Sequence, residues 1–525
     1  MAKRIANIYN FVRDMDPRLP DNGRDLLFHA TKMELFLLKK YNMPSTFALQ
    51  YDALINDKYQ KLFKDNLNSK DEIGAWWEIV QPQAESAGLK WRGRFPWDWH
   101  TNIGFSVGYT PKERERLVDV YMDKFKSVFD YYPQTVGSWF IDAHSLNYMY
   151  EKYGVLASCN CKDQIGTDGY TLWGGYWNQA YYPSKKNAYM PAQTIEGQIP
   201  IPIFRMLGSD PIYQYDVNIG QTCQEVITLE PVYTGSLGGG GNAKWVHWFL
   251  GLLTEEPCLA FAYTQIGQEN SFTWDKIEKG LNLQIKQLDK LRTAGKISIE
   301  TLCESGKWFR HQFKCTPATA FTAGKDWKQK NCRTAWYNCK FYRINILWEN
   351  KTLRIRDLHL FDEKVISEYF LKTAKTNLAN YRTLPVMDGF HWSTKDHPAG
   401  IFLVSNQTGP WEPIQSSCDP VFQEPNNTTL AICWKLNSKQ QFRCACKENS
   451  LIASIPMDTS WALNWRVFKD TPLVKKGTQN RISFQIKKIK YSLNCLHGNI
   501  EKCTSRSILF KPGTDGTLVL QMELL

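Results

Sequence analysis

Short runs rich in β-branched and aromatic residues alternate with helical stretches through the first 320 or so residues. Ile5–Val12, Thr46–Tyr51, Glu72–Trp77, Val136–Ile141, Val155–Ser158, Pro202–Met206, Val226–Leu229 and Leu259–Thr264 read as strands. Between them, Asp25–Tyr41 sets Leu27, Met33, Leu37 and Leu38 near one stripe, and Lys112–Phe129 and Asp275–Leu291 repeat that helical spacing. Strands alternating with helices predict a parallel sheet with helices on its outside, here a (β/α) barrel. From about Asp326 the pattern changes to period-two runs such as Lys340–Glu349 and Leu353–Phe361, with few helical patterns between them. That predicts an antiparallel β-sandwich. The expected division is residues 1–322 for the barrel and 323–525 for the sandwich.

Charge narrows the partners. The net charge is +12, yet the lysines and arginines are scattered with no long basic run, so nucleic acid is not expected as a partner. No run of about 18 apolar residues predicts a membrane span. The N-terminal apolar stretch is broken by Asn7 and Asn10, so no signal peptide is read there and a cytoplasmic location is the expectation. The 14 cysteines lack the spacing of a zinc ribbon and read as free thiols. No cofactor and no metal are expected. The 20 Trp and 25 Tyr are more than a core requires, and aromatic faces that carry a polar handle suit a carbohydrate cleft.

Acidic residues recur at or just after the strand candidates: Asp14, Asp16, Asp52, Glu78, Asp142, Asp163, Asp210, Glu230 and Glu269. In a parallel barrel all strand C-termini open on one face, so such acids would converge there. Their other reading is as caps of turns and helices. Around Asp71–Glu78 and Lys90–His100, five tryptophans fall within 24 residues of each other, beside Glu72, Glu78 and Asp98. Trp76 and Trp97 are candidate stacking surfaces, although one of the adjacent pair Trp76 and Trp77 should be core, because strand neighbours face opposite ways. Trp173 stands in a Gly- and aromatic-rich loop, Gly166–Gln193, whose length suggests a lid or binding wall. Asp142 closes an apolar run and could attack an anomeric carbon if a second acid lay across the bond; alternatively it caps the helix that begins near Ser145. Glu269, between Gln268 and Asn270, is the candidate general acid, and a polar turn is its alternative.

Asn7–Asp16, Leu37–Asp52 and Asp71–Glu78 together resemble the opening of the polysaccharide-deacetylase (NodB-like) fold. Gly137–Ser158 resembles the fourth-strand segment of family 57 glycoside hydrolases. The resemblance implies a distorted (β/α)7 barrel and a carbohydrate substrate. It implies Asp142 as nucleophile, where that family has Glu, and Glu269 as acid/base. Asp14, Asp16, Asp52, Glu72, Glu78, Asp210 and Glu230 would grip sugar hydroxyls, with Trp76, Trp97 and Trp173 stacking. Where a deacetylase of this fold has metal-binding histidines, the chain has Trp76, Trp77 and Glu78, so metal-free glycoside hydrolysis is the expectation. The alternatives are a non-catalytic carbohydrate-binding protein on the same barrel and a metal-dependent carbohydrate deacetylase.

Overall fold

The computed structural model describes residues 2–524 except 168, 408, 470, 472–474, 479, 504 and 505. Seven strands form a continuous parallel path: β1 (Lys3–Val12), β2 (Thr46–Leu49), β3 (Glu72–Trp76), β4 (Thr135–Gly137), β5 (Ala157–Asn160), β6 (Ile203–Arg205) and β7 (Phe261–Ile266). Their spatial order is β7-β1-β2-β3-β4-β5-β6. The outside is covered by α1 (Gly23–Lys40), α2 (Tyr51–Ile55), α3 (Asp57–Asn66), α4 (Gln81–Ser86), α5 (Pro111–Phe129), α6 (Ala143–Tyr153), α7 (Ala243–Glu255) and α8 (Trp274–Thr293), and α9 (Leu302–Gln312) follows the barrel. The three long helices read from periodicity match α1, α5 and α8. Of the strand candidates, Val226–Leu229 forms no strand; only Thr228 bridges, to Ser209.

The barrel does not close by strand pairing. Beyond β6 the neighbour is the antiparallel pair Ala180–Tyr181, and the gap to β7 is spanned by one side chain. Gln179 Oε1 accepts from Tyr263 N at 2.8 Å and its Nε2 donates to Tyr263 O at 3.4 Å, while its backbone O accepts from Arg205 N at 2.9 Å. The amide thus reproduces one rung of a ladder and satisfies backbone groups that would otherwise be buried unpaired.

Because side chains alternate along a strand, the odd residues Ile5, Tyr9 and Phe11 of β1 fill the barrel with Ala48, Trp76, Cys159, Phe204 and Tyr263. Even residues such as Ala6, Ile8 and Val12 pack outward under the helices. The same alternation splits the tryptophan pair: Trp76 stacks on Phe11 inside the barrel (4.2 Å between rings), and Trp77 meets Tyr121 of α5 outside it (6.2 Å).

From Thr319 onward the chain forms antiparallel sheets, one built on the order Thr319–Ala323, Arg333–Asn338, Tyr342–Glu349, Thr352–Leu360 and continuing through Gly400–Ser405, and a second containing Val421–Asn426 and Thr429–Lys435. These antiparallel sheets are consistent with the expected sandwich. One strand of that half, Ala379–Arg382, pairs in parallel with Tyr170–Trp173 of the barrel half. The segment 166–193 is therefore not an open wall. Part of it is buried against the β-domain: Trp177 lies flat on Trp336 at 4.4 Å, and Tyr176 Oη lies 2.9 Å from Thr319 Oγ1. The cysteines from Cys159 to Cys495 are free thiols, and no described helix is long and apolar enough to cross a membrane.

Candidate active site

The C-terminal ends of β1, β2, β3 and β7 bring together residues from distant parts of the chain. Arg13 continues the inward-facing series of β1, Gln50 that of β2 and Glu78 that of β3. Glu269 follows β7 and bridges Phe11 in parallel register. Asn270 fixes this arrangement. Its Oδ1 accepts from Arg13 N (3.1 Å), and its Nδ2 donates to Arg13 O (2.8 Å) and Thr31 Oγ1 of α1 (3.2 Å).

Arg13 is 1% exposed, and its Nη2 lies 3.1 Å from both Glu78 Oε2 and Glu269 Oε2. The two carboxylate oxygens are therefore within about 6 Å of each other. Gln50 Nε2 and Trp76 Nε1 also donate to Glu78 Oε2, each at 2.9 Å. Three donors thus meet on one oxygen of Glu78. Burial raises the pKa of Glu269, although Arg13 opposes the shift. Asp16 goes the other way; burial would raise it, but Arg18 and Arg13 hold it below its ordinary value. Beside these, Glu230 accepts from Thr228 Oγ1 (2.8 Å) and lies 3.5 Å from Gln268 Nε2. Burial raises its pKa, with the Glu269 charge adding to that, while Lys162 opposes it. Lys162 is itself buried, and that burial lowers its pKa.

Several buried polar atoms at this end of the barrel have no protein partner: Arg13 Nε, Gln50 Oε1, Gln268 Oε1 and Trp97 Nε1. Leaving such groups unpaired costs about 1–3 kcal/mol each, so the arrangement suits a polar occupant.

The remaining sequence candidates divide. Trp97 is buried with the Arg13 guanidinium 4.1 Å from its ring centre, so it holds the arginine in place and offers no open face. Trp76 is fully buried core and contributes its N–H. One half-buried indole that the sequence reading passed over is better placed for stacking: Trp139, after β4, stands edge-on to Phe11 (5.1 Å) and Trp76 (5.6 Å). Trp99, one of the five clustered tryptophans, has the Arg94 and Arg18 guanidinium groups 4.6 and 5.5 Å from its ring centre.

Other candidates are occupied elsewhere. Asp142 is the N-cap of α6: Ser145 N (2.9 Å), Ser145 Oγ (2.7 Å), Ser106 Oγ (2.5 Å) and Arg114 Nη1 (2.9 Å) fill both its oxygens, and it is 1% exposed. Burial would raise its pKa, but Arg114 and the two serines hold it low. A carboxylate so saturated has no lone pair to spare for attack. Glu72 opens β3 and so stands at the opposite end of the barrel, where it accepts from Thr46 Oγ1 (2.9 Å), Thr135 Oγ1 (2.6 Å) and Cys303 N at the start of α9 (3.0 Å). Asp52, in the first turn of α2, accepts from Ala53 N (2.7 Å) and holds the turn after β1 through Asp14 N and Met15 N (3.1 Å each). Its partial burial, then the Asp14 charge, push its pKa up to about 7. Asp14 accepts from Asn56 Nδ2 (2.9 Å), and burial raises its pKa. Asp210 accepts from Ile212 N, Tyr213 N and Trp245 Nε1 at 2.7 to 2.8 Å, bracing a turn against α7. Trp173 is buried against Tyr215, Phe390 and His391, at the junction with the β-domain.

The metal-dependent deacetylase that the sequence left as an alternative would need ligands for an ion, and the residues here do not fit one. The positions after β3 that would supply imidazoles hold Trp76, Trp77 and Glu78, and among the described residues no group of three or more His, Cys, Asp and Glu side chains is disposed to hold an ion.

No protein-family model and no curated protein matches the sequence. Solved structures do. A structure from Parabacteroides distasonis, provisionally assigned as a glycoside hydrolase/deacetylase, superposes with a TM-score of 0.54 over 75% of this chain and 94% of its own, at 16% identity. A provisionally assigned polysaccharide deacetylase from Mycobacterium smegmatis gives a TM-score of 0.37, over 59% of this chain and 92% of its own, at 11% identity. A family 57 branching enzyme from Thermococcus kodakaraensis gives 0.32, over 60% and 72%, at 9% identity. The likeness to the Parabacteroides structure is one of fold: the chain has a barrel like that structure's, followed by antiparallel β-sheets.

Proposed function

We propose that the protein is a carbohydrate-active hydrolase that cleaves a glycosidic bond with Glu78 and Glu269. The observation that carries this reading is the shared contact of the two carboxylates with Arg13 Nη2, 3.1 Å from each. Retaining glycosidases set their two carboxyl groups roughly 5 to 5.5 Å apart and inverting ones roughly 6.5 to 9.5 Å. The bound of about 6 Å here favours retention.

The roles follow from the surroundings. Glu78, oriented by Arg13, Gln50 and Trp76, attacks the anomeric carbon. Glu269, whose raised pKa keeps a proton available, protonates the leaving oxygen and then, as carboxylate, takes a proton from the water that releases the sugar. Glu230 meets a sugar hydroxyl, and Trp139 stacks on a pyranose face. The nucleophile first expected at Asp142 thus moves one strand back along the sheet, to Glu78.

The reading is tested by incubating the protein with a panel of acetylated and unacetylated polysaccharides, assaying new reducing ends and acetate side by side. The expected result is reducing ends from wild type and none from E269Q or E78Q. Acetate without reducing ends would replace this function with deacetylation, and binding without either product would replace it with a non-catalytic role.

A further inference from the structure

The β-domain carries a second apolar patch that its own core does not use. The strands β8 (Gly400–Ser405), β9 (Trp461–Arg466) and β10 (Ser507–Lys511) are neighbours in one antiparallel sheet. Their inward residues Leu403, Leu463, Trp465 and Phe510 belong to the main core. Register puts Phe402 opposite Asn464, Asn464 opposite Leu509 and Arg466 opposite Ser507, all on the other face. There Val404, Ala462 and Leu509 form a small separate cluster, with Phe402 and the half-buried Trp411 packed on it.

This face borders a cavity of about 780 Å³, within the range of ligand sites. Its polar side chains are held in fixed positions. With its amide oxygen turned to Arg466, Asn464 accepts from Nε and Nη2 at 2.8 Å each and donates to Ser507 Oγ at 3.2 Å. Arg466 Nη2 also reaches Trp411 O at 3.4 Å. The Lys511 ammonium lies 5.6 Å from the Trp411 ring and is neutralised by Glu501 at 3.0 Å. Among the described residues, Arg466 has no carboxylate partner.

We propose that this face is a secondary binding site for an acidic polysaccharide, with a uronate carboxylate on Arg466 and a pyranose face on Trp411. With Nε and Nη2 held by Asn464, the guanidinium keeps its Nη1 end for a carboxylate, and an indole beside an apolar floor matches the C–H face of the same ring. The net charge of +12, unused by the barrel site, attracts such a polymer at a distance. The proposal stands beside the barrel reading and does not depend on it, since binding here requires neither Glu78 nor Glu269.

Affinity electrophoresis of the full chain in native gels containing polygalacturonate, alginate or neutral dextran tests it, with single-stranded DNA as a competing polyanion. The expected result is retardation by polygalacturonate or alginate that persists in E269Q and falls about tenfold in W411A and in R466K, which keeps the charge but loses the guanidinium. Thermal melts matching wild type show that the variants are folded. No retardation by either acidic polymer, equal retardation by dextran, loss of the retardation to competing DNA, or unchanged retardation of both variants would overturn the proposal. Failure of the hydrolysis assays with this binding intact would count against the barrel reading alone.

Discussion

Glu78 and Glu269, from strands on either side of β1 and β2, touch the same nitrogen: each Oε2 lies 3.1 Å from Arg13 Nη2. Arg13 is buried, so the two acids and the arginine stabilise one another only as a set. Replacing Arg13 with Gln leaves two carboxylates without their cation in a water-poor site. The expected loss is about 3–5 kcal/mol near neutral pH, measured by urea denaturation, with a smaller loss in acid where Glu269 is protonated. An unchanged midpoint would show that the acids do not need the arginine.

Asp142 separates a structural from a catalytic carboxylate. Asp142→Asn keeps the shape but removes the charge facing buried Arg114 and weakens the cap of α6. Stability should fall by about 3–5 kcal/mol, while turnover per folded molecule stays within a few-fold of wild type. Abolished turnover in a fully stable variant would return the nucleophile to Asp142.

Much of this was legible in the sequence, and the reasons for the rest are local. The alternation of strands and helices gave the barrel because each parallel strand needs a crossover, and Asp142 already had its capping alternative in the helix starting near Ser145. Glu72 was misplaced because an acid beside an apolar run does not say which strand end it marks; Glu72 opens β3, and only Glu78 lies at the mouth. Trp173 was misplaced because a long aromatic loop reads alike whether it faces substrate or a second domain. The central cation was passed over although Arg13 continues the inward series Tyr9 and Phe11. Arg114 gave a comparable signal, sharing the stripe of Leu117, Val118 and Tyr121 on α5 and so requiring a buried counter-charge.

Glu34 of α1 is fully buried, and neither of its oxygens has a partner. Burial raises its pKa well above the ordinary value, so the folded state prefers the neutral acid. The stability this group contributes is full below its unfolded pKa of about 4.3 and is lost as pH rises from there toward the folded pKa. Glu34→Gln should match wild type near pH 4 and gain on it by up to about 1.4 kcal/mol per pH unit above that, read from denaturation curves across pH. A difference independent of pH would contradict a neutral Glu34.

The pH dependence of hydrolysis should follow Glu269. Its raised pKa keeps the acid form present above the usual glutamate range, so the alkaline limb of kcat/KM should lie higher than for an exposed glutamate. Glu269→Gln should lower kcat/KM by about 10²- to 10⁴-fold on a substrate with a poor leaving group and by less on an activated aryl glycoside, with that limb removed. Survival of the limb in the variant would assign it to another group.

The most direct test of the carboxylate pair is to trap its intermediate. An activated aryl glycoside that wild type turns over, given to E269Q, should still glycosylate the nucleophile, yet without Glu269 to activate water the adduct should persist. Intact mass followed by peptide mapping is expected to find one added sugar on Glu78; a sugar on Asp142 or any other carboxylate, or undiminished turnover by E269Q, would contradict the assignment.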